Sequence, residues 1–355
     1  MNKAWWKESV VYQIYPRSFA DSNKDGIGDL AGIVSKLDYL KDLGIDIIWI
    51  CPVFESPNKD NGYDISDYLA IMKEFGTMED MELLIEEAHA RDIRVILDFV
   101  LNHTSDQHPW FIESRASKDN RYRDYFIWRE GQSGKEPSNW KSIFGGAAWT
   151  HNANTEDYYF HLFLMEQPDL NWENESLRHE VYAVMRWWLD KGIDGFRLDA
   201  LSHIKKNQSF PDVEGESDEA YQRASHYYSN QPGLHEYLRE MKANVIDRYD
   251  IVTIAETNGV SHEDAIHYVH ETEGNLNSSE HPLSNNPCRP NPSLIWHSPR
   301  RRNQRSGCTP YTSHHTIYHR IAGTNLYLPE APTRPCAYSH TRRSWLRSFR
   351  WNPKE

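Results

Sequence analysis

A chain of 355 residues can bury a large core, as one (β/α)-type domain with an insertion or as two domains. Its net charge of −13 argues against nucleic acid, whose phosphates need a basic surface, and no run reaches the ~18 apolar residues of a membrane span. No signal-peptide core follows Met1, so a cytoplasmic protein is expected, and 13 Trp and 20 Tyr suit both core packing and stacking on neutral sugars.

The first β-branched run, 10–15, predicts a strand. After it, Asp21, Asn23, Asp25, Ile27 and Asp29 fall at every second position of a Gly-containing loop, and oxygen side chains in that rhythm suit a hard cation, Ca²⁺ or Mg²⁺. A solvated acidic turn is the plainer alternative. It is not an EF-hand, because position twelve is Gly32. A helix over 29–43 follows, with Gly44 as its C-cap, and then a strand over 45–50. Beyond that strand, Asn61-Gly62-Tyr63-Asp64 offers a ring to stack beneath a sugar, or a surface turn.

A helix over 77–91 leads to a strand over 94–100 whose end carries Asp98 and, beyond it, His103. Both can reach one mouth and hydrogen-bond hydroxyls, or they can simply cap the strand end. The next 75 or so residues are too long for a βα loop and read as an inserted small domain. A helix over 175–191, with Gly192 at its C-cap, precedes the strand 195–200. On that strand Arg197 and Asp199 share a face, and the fixed cation would keep Asp199 ionised, as a nucleophile must be.

A last helix, 233–249, leads to the strand 251–256, ending on Glu256 with no cation beside it in sequence. A carboxyl in a drier, less cationic place holds its proton and can pass it to a leaving oxygen. One charged and one protonated acid is the requirement for glycoside hydrolysis. No GxSxG elbow, Walker loop, CxxC pair or HExxH helix offers other chemistry, and no organic cofactor is implied. The four cysteines show no metal spacing and no disulfide framework.

At about residue 277 the composition changes. Residues 1–277 carry a balance of −22 and residues 278–355 one of +9, with 10 of the 18 prolines and no Asp in the latter. That stretch reads as a basic, Pro-rich tail, disordered or translated from a shifted reading frame.

The ordered motifs 11–19, 61–68, 98–104, 167–172 and 195–199, with the Glu256 segment, resemble the α-glucosidase and oligo-1,6-glucosidase branch of glycoside hydrolase family 13, the α-amylase superfamily. The resemblance implies an α/β fold of (β/α)8 TIM-barrel type. Residues 1–103 and 171–277 would form catalytic domain A and 104–170 the inserted domain B. Five strands are recognisable, so the barrel is incomplete as read. The resemblance makes Asp199 the nucleophile and Glu256 the acid and base. It places Asp60, Tyr63, Asp98, His103 and Arg197 around a terminal glucose and matches Asp21, Asn23, Asp25, the Ile27 carbonyl and Asp29 to the metal loop. Ala200, where relatives with Val favour α-1,6 bonds, points to α-1,4 preference. The expected protein is a monomeric, exo-acting, retaining α-glucosidase for small oligosaccharides, with no nucleic-acid or membrane partner. The family's seventh-strand Asn-His-Asp motif has no counterpart in residues 278–355, so inactivity is an expectation for this chain. A catalytically dead sugar-binding scaffold and a trehalose-6-phosphate hydrolase are the alternatives.

Overall fold

A computed structural model describes residues 4–214, 219–269, 274–280 and 318–320. In chain order the strands are β1 (Val10–Ile14), β2 (Ile47–Ile50), a hairpin of β3 (Phe54–Glu55) and β4 (Asp67–Ile71), and β5 (Arg94–Val100). The short β6 (Trp128–Arg129), β7 (Trp149–Asn152) and β8 (Asp157–Phe160) follow, then β9 (Gly195–Asp199), β10 (Val252–Glu256), β11 (Ser278–Glu280) and β12 (Tyr318–Arg320). The main sheet has the order β11-β10-β9-β5-β2-β1-β12, parallel throughout except where β12 pairs antiparallel with β1. The parallel sheet is curled as a half-barrel, in keeping with the (β/α)8 class.

Strand alternation sorts the side chains. Val11, Ile47, Trp49, Ile96, Val252 and Ile254 form one apolar cluster, with Trp5 and Trp6 packed against it. The alternate residues Ile48, Val95, Leu97, Phe99, Phe196 and Leu198 join the larger core on the other face, where the helices Met78–His89 and Glu175–Asp190 bury theirs. Two residues past Ile96 and Ile254 on the same face stand Asp98 and Glu256, so the apolar layer gives way to carboxylates at the strands' C-terminal ends. Ligands of parallel α/β sheets sit at this end.

Gly195 makes the approach of β9 and β10 possible. Its φ is +144°, and a Cβ there would stand 1.8 Å from the Val252 carbonyl oxygen. Only glycine allows that contact.

The expected strands and helices are present with several corrections. The helix expected over 29–43 is two helices, Leu30–Val34 and Leu37–Asp42. Ser35 Oγ donates to the Gly32 carbonyl at 2.6 Å, and the Lys36 N–H turns to the nearer Ile33 carbonyl, so the α ladder breaks there. The helix expected over 233–249 stops at Asn244 and continues as a single 3₁₀ turn, Ile246–Arg248. Parallel strands number six among the described residues, not five: β11 begins at Ser278, where a tail without strands was expected. The remaining expectations for 281–317 and 321–355 lie outside the described residues.

The inserted segment forms the antiparallel sheet β6-β8-β7 with its own aromatic cluster of Trp140, Trp149 and Phe160. Phe210, Ala224 and Tyr228, from the loop after β9, complete that cluster, and Trp140 Nε1 donates to the Pro211 carbonyl at 2.7 Å. The second layer of the small domain therefore comes from beyond residue 170.

Candidate active site

Three carboxylates converge on one guanidinium. Arg197 is buried, Nη1 donating to Asp199 Oδ1 and, at 3.0 Å, to Asp98 Oδ1, while Nη2 lies 3.1 Å from Glu256 Oε2. The Trp49 ring covers its other face at 5.2 Å. Because β5, β9 and β10 are adjacent and parallel, their end residues meet without any help from loops. Asp98 is held further by the Trp49 indole N–H at 3.2 Å and the Tyr63 hydroxyl at 3.0 Å. Glu256 Oε2 accepts the Ala200 backbone N–H at 3.0 Å. Ala200 itself is left-handed, at φ 48°, where the chain leaves β9 for a single 3₁₀ turn, Leu201–His203.

The carboxyls of the free protein shift in the direction opposite to that expected from sequence. Burial pushes the Asp199 carboxyl well above the usual range, Arg197 pulling it back only in part while Glu256 and Asp98 push with burial. Burial raises Asp98 too, against the pull of Arg197. Burial also pushes Glu256 up, but Arg197, the Ala200 N–H, Asn258 and a hydrogen bond with Asp199 outweigh it and leave Glu256 below the ordinary value. The premise of a cation-free Glu256 fails in three dimensions, because Arg197 reaches across from the next strand. Three acids against one cation titrate as a unit.

Beside the carboxylates stands a wall of polar side chains. Gln167 Nε2 lies 3.0 Å from both Asp60 Oδ2 and His103 Nε2. The Phe163 ring packs on His103 at 4.9 Å. Tyr63 follows a turn through Asn61 and Gly62, both at positive φ, pinned by Asp64 accepting the Asp60 N–H at 2.9 Å. Asp60, Tyr63, Asp98, His103, Arg197, Asp199, Ala200 and Glu256 are thus linked by direct contacts or shared strand ends. Trp49, Asn102 and Lys206 belong to the same neighbourhood and were not singled out from sequence. Trp49 had a signal, since it shares a face with the β5 and β9 acids.

The loop of Asp21, Asn23, Asp25, Ile27 and Asp29 lies apart from this cluster in the chain and is organised by Asx turns. Asp21 accepts the N–H groups of Asn23, Lys24 and Gly26, which hold its carboxyl below the usual value. Asp25 Oδ1 accepts the Ile27 N–H at 2.8 Å. Asp29 is buried as a helix N-cap, accepting the Gly32 N–H at 2.6 Å and the Ser22 hydroxyl. No group of three His, Cys, Asp or Glu side chains converges as a metal site among the described residues. The donors that remain are all oxygen, and Asn23 and the Ile27 carbonyl add two that are not carboxylates. Oxygen donors are the kind a hard cation takes.

Residues 13–285 match the family described as Alpha amylase, catalytic domain. The chain belongs to that α-amylase family. It is 57% identical over 277 residues to an oligo-1,6-glucosidase of Parageobacillus thermoglucosidasius, covering 78% of this chain and 49% of that protein. Against an oligo-1,6-glucosidase of Bacillus cereus it is 59% identical over 271 residues, with 76% and 48% covered. Among solved structures, the trehalose-6-phosphate hydrolase of Bacillus licheniformis superposes with a TM-score of 0.76 at 48% identity, covering 79% of this chain and 49% of that one. The chain spans about half the length of the curated relatives it matches. Within the α-amylase family, then, the similarity runs with glucosidases through the strands that carry Asp98, Asp199 and Glu256.

Proposed function

We propose that this chain carries the glucose-binding and bond-breaking groups of a retaining α-glucosidase. The observation behind this reading is Arg197 gathering Asp98, Asp199 and Glu256 at the C-terminal ends of adjacent parallel strands. Asp199, freed of its proton, attacks the anomeric carbon. Glu256 protonates the leaving oxygen and then takes a proton from the water that releases the sugar. Both acids bind the same guanidinium, which keeps them close enough to exchange a proton. One proton passed from Asp199 to Glu256 leaves a nucleophile and an acid in place. Asp98, Tyr63, His103 and Asp60 present hydrogen-bonding groups to the terminal sugar.

We assign the leading substrate as isomaltose-type α-1,6 oligosaccharides, because the 57–59% identical relatives are oligo-1,6-glucosidases. Ala200 carries the second reading, α-1,4 preference. Its left-handed backbone is a position where a β-branched residue is strained. Trehalose 6-phosphate is a third substrate to measure, since a Bacillus subtilis hydrolase of that name is 49% identical over 265 residues. The oxygen-lined loop is proposed to hold Ca²⁺ or Mg²⁺ away from the chemistry.

The test is glucose release from isomaltose, maltose and trehalose 6-phosphate. The assay compares this chain with a chimera whose residues after 277 are those of the Bacillus cereus relative. The chimera is expected to release glucose from isomaltose fastest, with retained anomeric configuration. The present chain, lacking an Asp after residue 277, is expected to bind isomaltose but turn it over about 10³-fold more slowly or worse. A silent chimera, or an inverted product, overturns the reading.

A further inference from the structure

Behind the polar wall lies an ion pair that the bond-breaking scheme does not use. Lys206 Nζ and Asp169 Oδ2 are 2.7 Å apart, and both side chains are wholly buried, at 0% exposure. Lys206 also donates to Asn102 Oδ1 at 2.7 Å, and Asn102 Nδ2 donates to the same Asp169 oxygen at 3.0 Å. The remaining Asp169 oxygen accepts the Leu162 N–H at 2.8 Å. Burying two charges this completely is unfavourable unless their partners are well placed, and hydrophobic replacements are often as stable. Stability alone therefore does not account for the pair.

The consequence of the triangle falls on Asn102. With Oδ1 taken by an ammonium and Nδ2 by a carboxylate, its amide has one orientation. Its nitrogen then stands 3.2 Å from His103 Nδ1. On the far side of the ring Gln167 is fixed in the same manner, its oxygen accepting the Leu164 N–H at 3.1 Å and its nitrogen donating to Asp60. The imidazole thus stands between two amide N–H groups. A doubly protonated ring would set an N–H against both donors and a neutral ring against only one, so the neutral ring is the favoured form; with Nδ1 accepting from Asn102, the remaining ring N–H is left to the Tyr63 backbone.

We propose that Lys206 is a positioning residue: through Asn102 and Asp169 it sets the hydrogen-bonding polarity of His103 and so keeps a neutral imidazole at the sugar-binding wall. The charged groups that act on His103 are Asp169 and Asp60, which favour its protonation, and Lys206, which opposes it, with burial opposing it most. The Phe163 ring packs against it, and the Tyr63 backbone accepts a hydrogen bond from the ring and favours its protonation. Loss of Lys206 removes the opposing charge and frees the Asn102 amide to turn its oxygen toward the ring. Both changes act in one direction.

The test uses the full chain labelled with ¹⁵N-histidine, followed by long-range ¹H–¹⁵N correlation from pH 8 to pH 5, His103 being assigned from its loss in H103Q. The native ring is expected to stay neutral in one tautomer throughout. In Lys206→Met it is expected to mix tautomers and protonate within that range, whereas Lys206→Arg holds the native pattern. Because Lys206→Met leaves Asp169 unpaired and can unfold the chain, the charge-free pair Lys206→Met with Asp169→Asn is measured alongside; it is expected to show the same tautomer mixing without the added protonation, since the Asp169 charge that favours protonation is gone too. The native tautomer retained in both variants overturns the proposal. The functional half rests on the glucosidase reading and is read separately, as isomaltose binding by calorimetry. About a tenfold weaker Kd in the variants is expected, the worth of one hydrogen bond. If the native chain binds no isomaltose, the glucosidase reading fails while the His103 spectra still decide the role of Lys206.

Discussion

Asp199 must ionise to act, yet burial, Glu256 and Asp98 all resist its charge, with Arg197 shared among the three acids. Its carboxyl therefore binds a proton more tightly folded than unfolded. Such a group adds stability below its unfolded value, near 4, and that stability is lost as pH rises through the higher folded value. Asp199→Asn removes the late ionisation and keeps a partner for Arg197. It is expected to be more stable than the native chain by about 1–2 kcal/mol at pH 8, the gain shrinking toward pH 4. Urea unfolding of both proteins across that range measures it, and a difference that does not change with pH would refute it. Glu256, held below its usual value, has the opposite dependence, its contribution falling away as the solution is acidified. The membership of this cluster was legible in sequence, because period-two alternation alone puts Arg197 and Asp199 on one face. Its charge states were not. They depend on Arg197 reaching Glu256 on the neighbouring strand, a contact that no local pattern encodes. Lys206 was still less legible, since a lysine in a loop reads as solvent-exposed until Asp169 and Asn102 are seen to enclose it.

At the scale of elements, β9 and β10 approach closely because Gly195 has no side chain, and Asp199 and Glu256 inherit that spacing. Gly195→Ala must either push β10 away or distort a backbone already at φ +144°. We expect it to cost about 3 kcal/mol or more, from overpacking and backbone strain together. The loss should appear as a lower urea midpoint, together with weaker isomaltose binding in whatever fraction remains folded. A fully stable Gly195→Ala chain would show that the strands adjust and that the glycine is not what sets the spacing. The strands themselves were readable from β-branched runs ending in acids, and the Met78–His89 helix from its amphipathic period, its start being fixed in the structure by the Thr77 and Asp80 capping box. Three features were not readable. Ser35 breaks the 29–43 helix through a side-chain bond to Gly32. The β3–β4 hairpin has too few residues for periodicity to register. The loop after β9 joins the small domain through aromatic contacts that are distant in sequence.

Over the whole molecule, acidic side chains outnumber basic ones, the net charge being −13, and the alternating oxygen loop is one place where that excess is concentrated. Its Asx turns occupy part of the lone-pair capacity of Asp21, Asn23 and Asp25 with backbone N–H groups, and a carboxylate with two oxygens has more to give. The turns therefore order the loop rather than block it. Asp29 ties the loop's end to the start of the Leu30–Val34 helix, so a cation bound there would be coupled to packing of the main core. A ligand that binds only the folded chain stabilises it by mass action, about 2.7 kcal/mol at a hundredfold excess over Kd. For a chain of this size that is a rise of about 5 °C in Tm. Saturating Ca²⁺ is expected to produce such a rise, EDTA to remove it, and Asp21→Asn to abolish the response while folding normally. Sodium chloride at equal ionic strength separates site binding from screening of the net charge. If it reproduces the shift, or if Asp21→Asn responds like the native chain, the loop is an acidic turn that caps a helix and holds no metal.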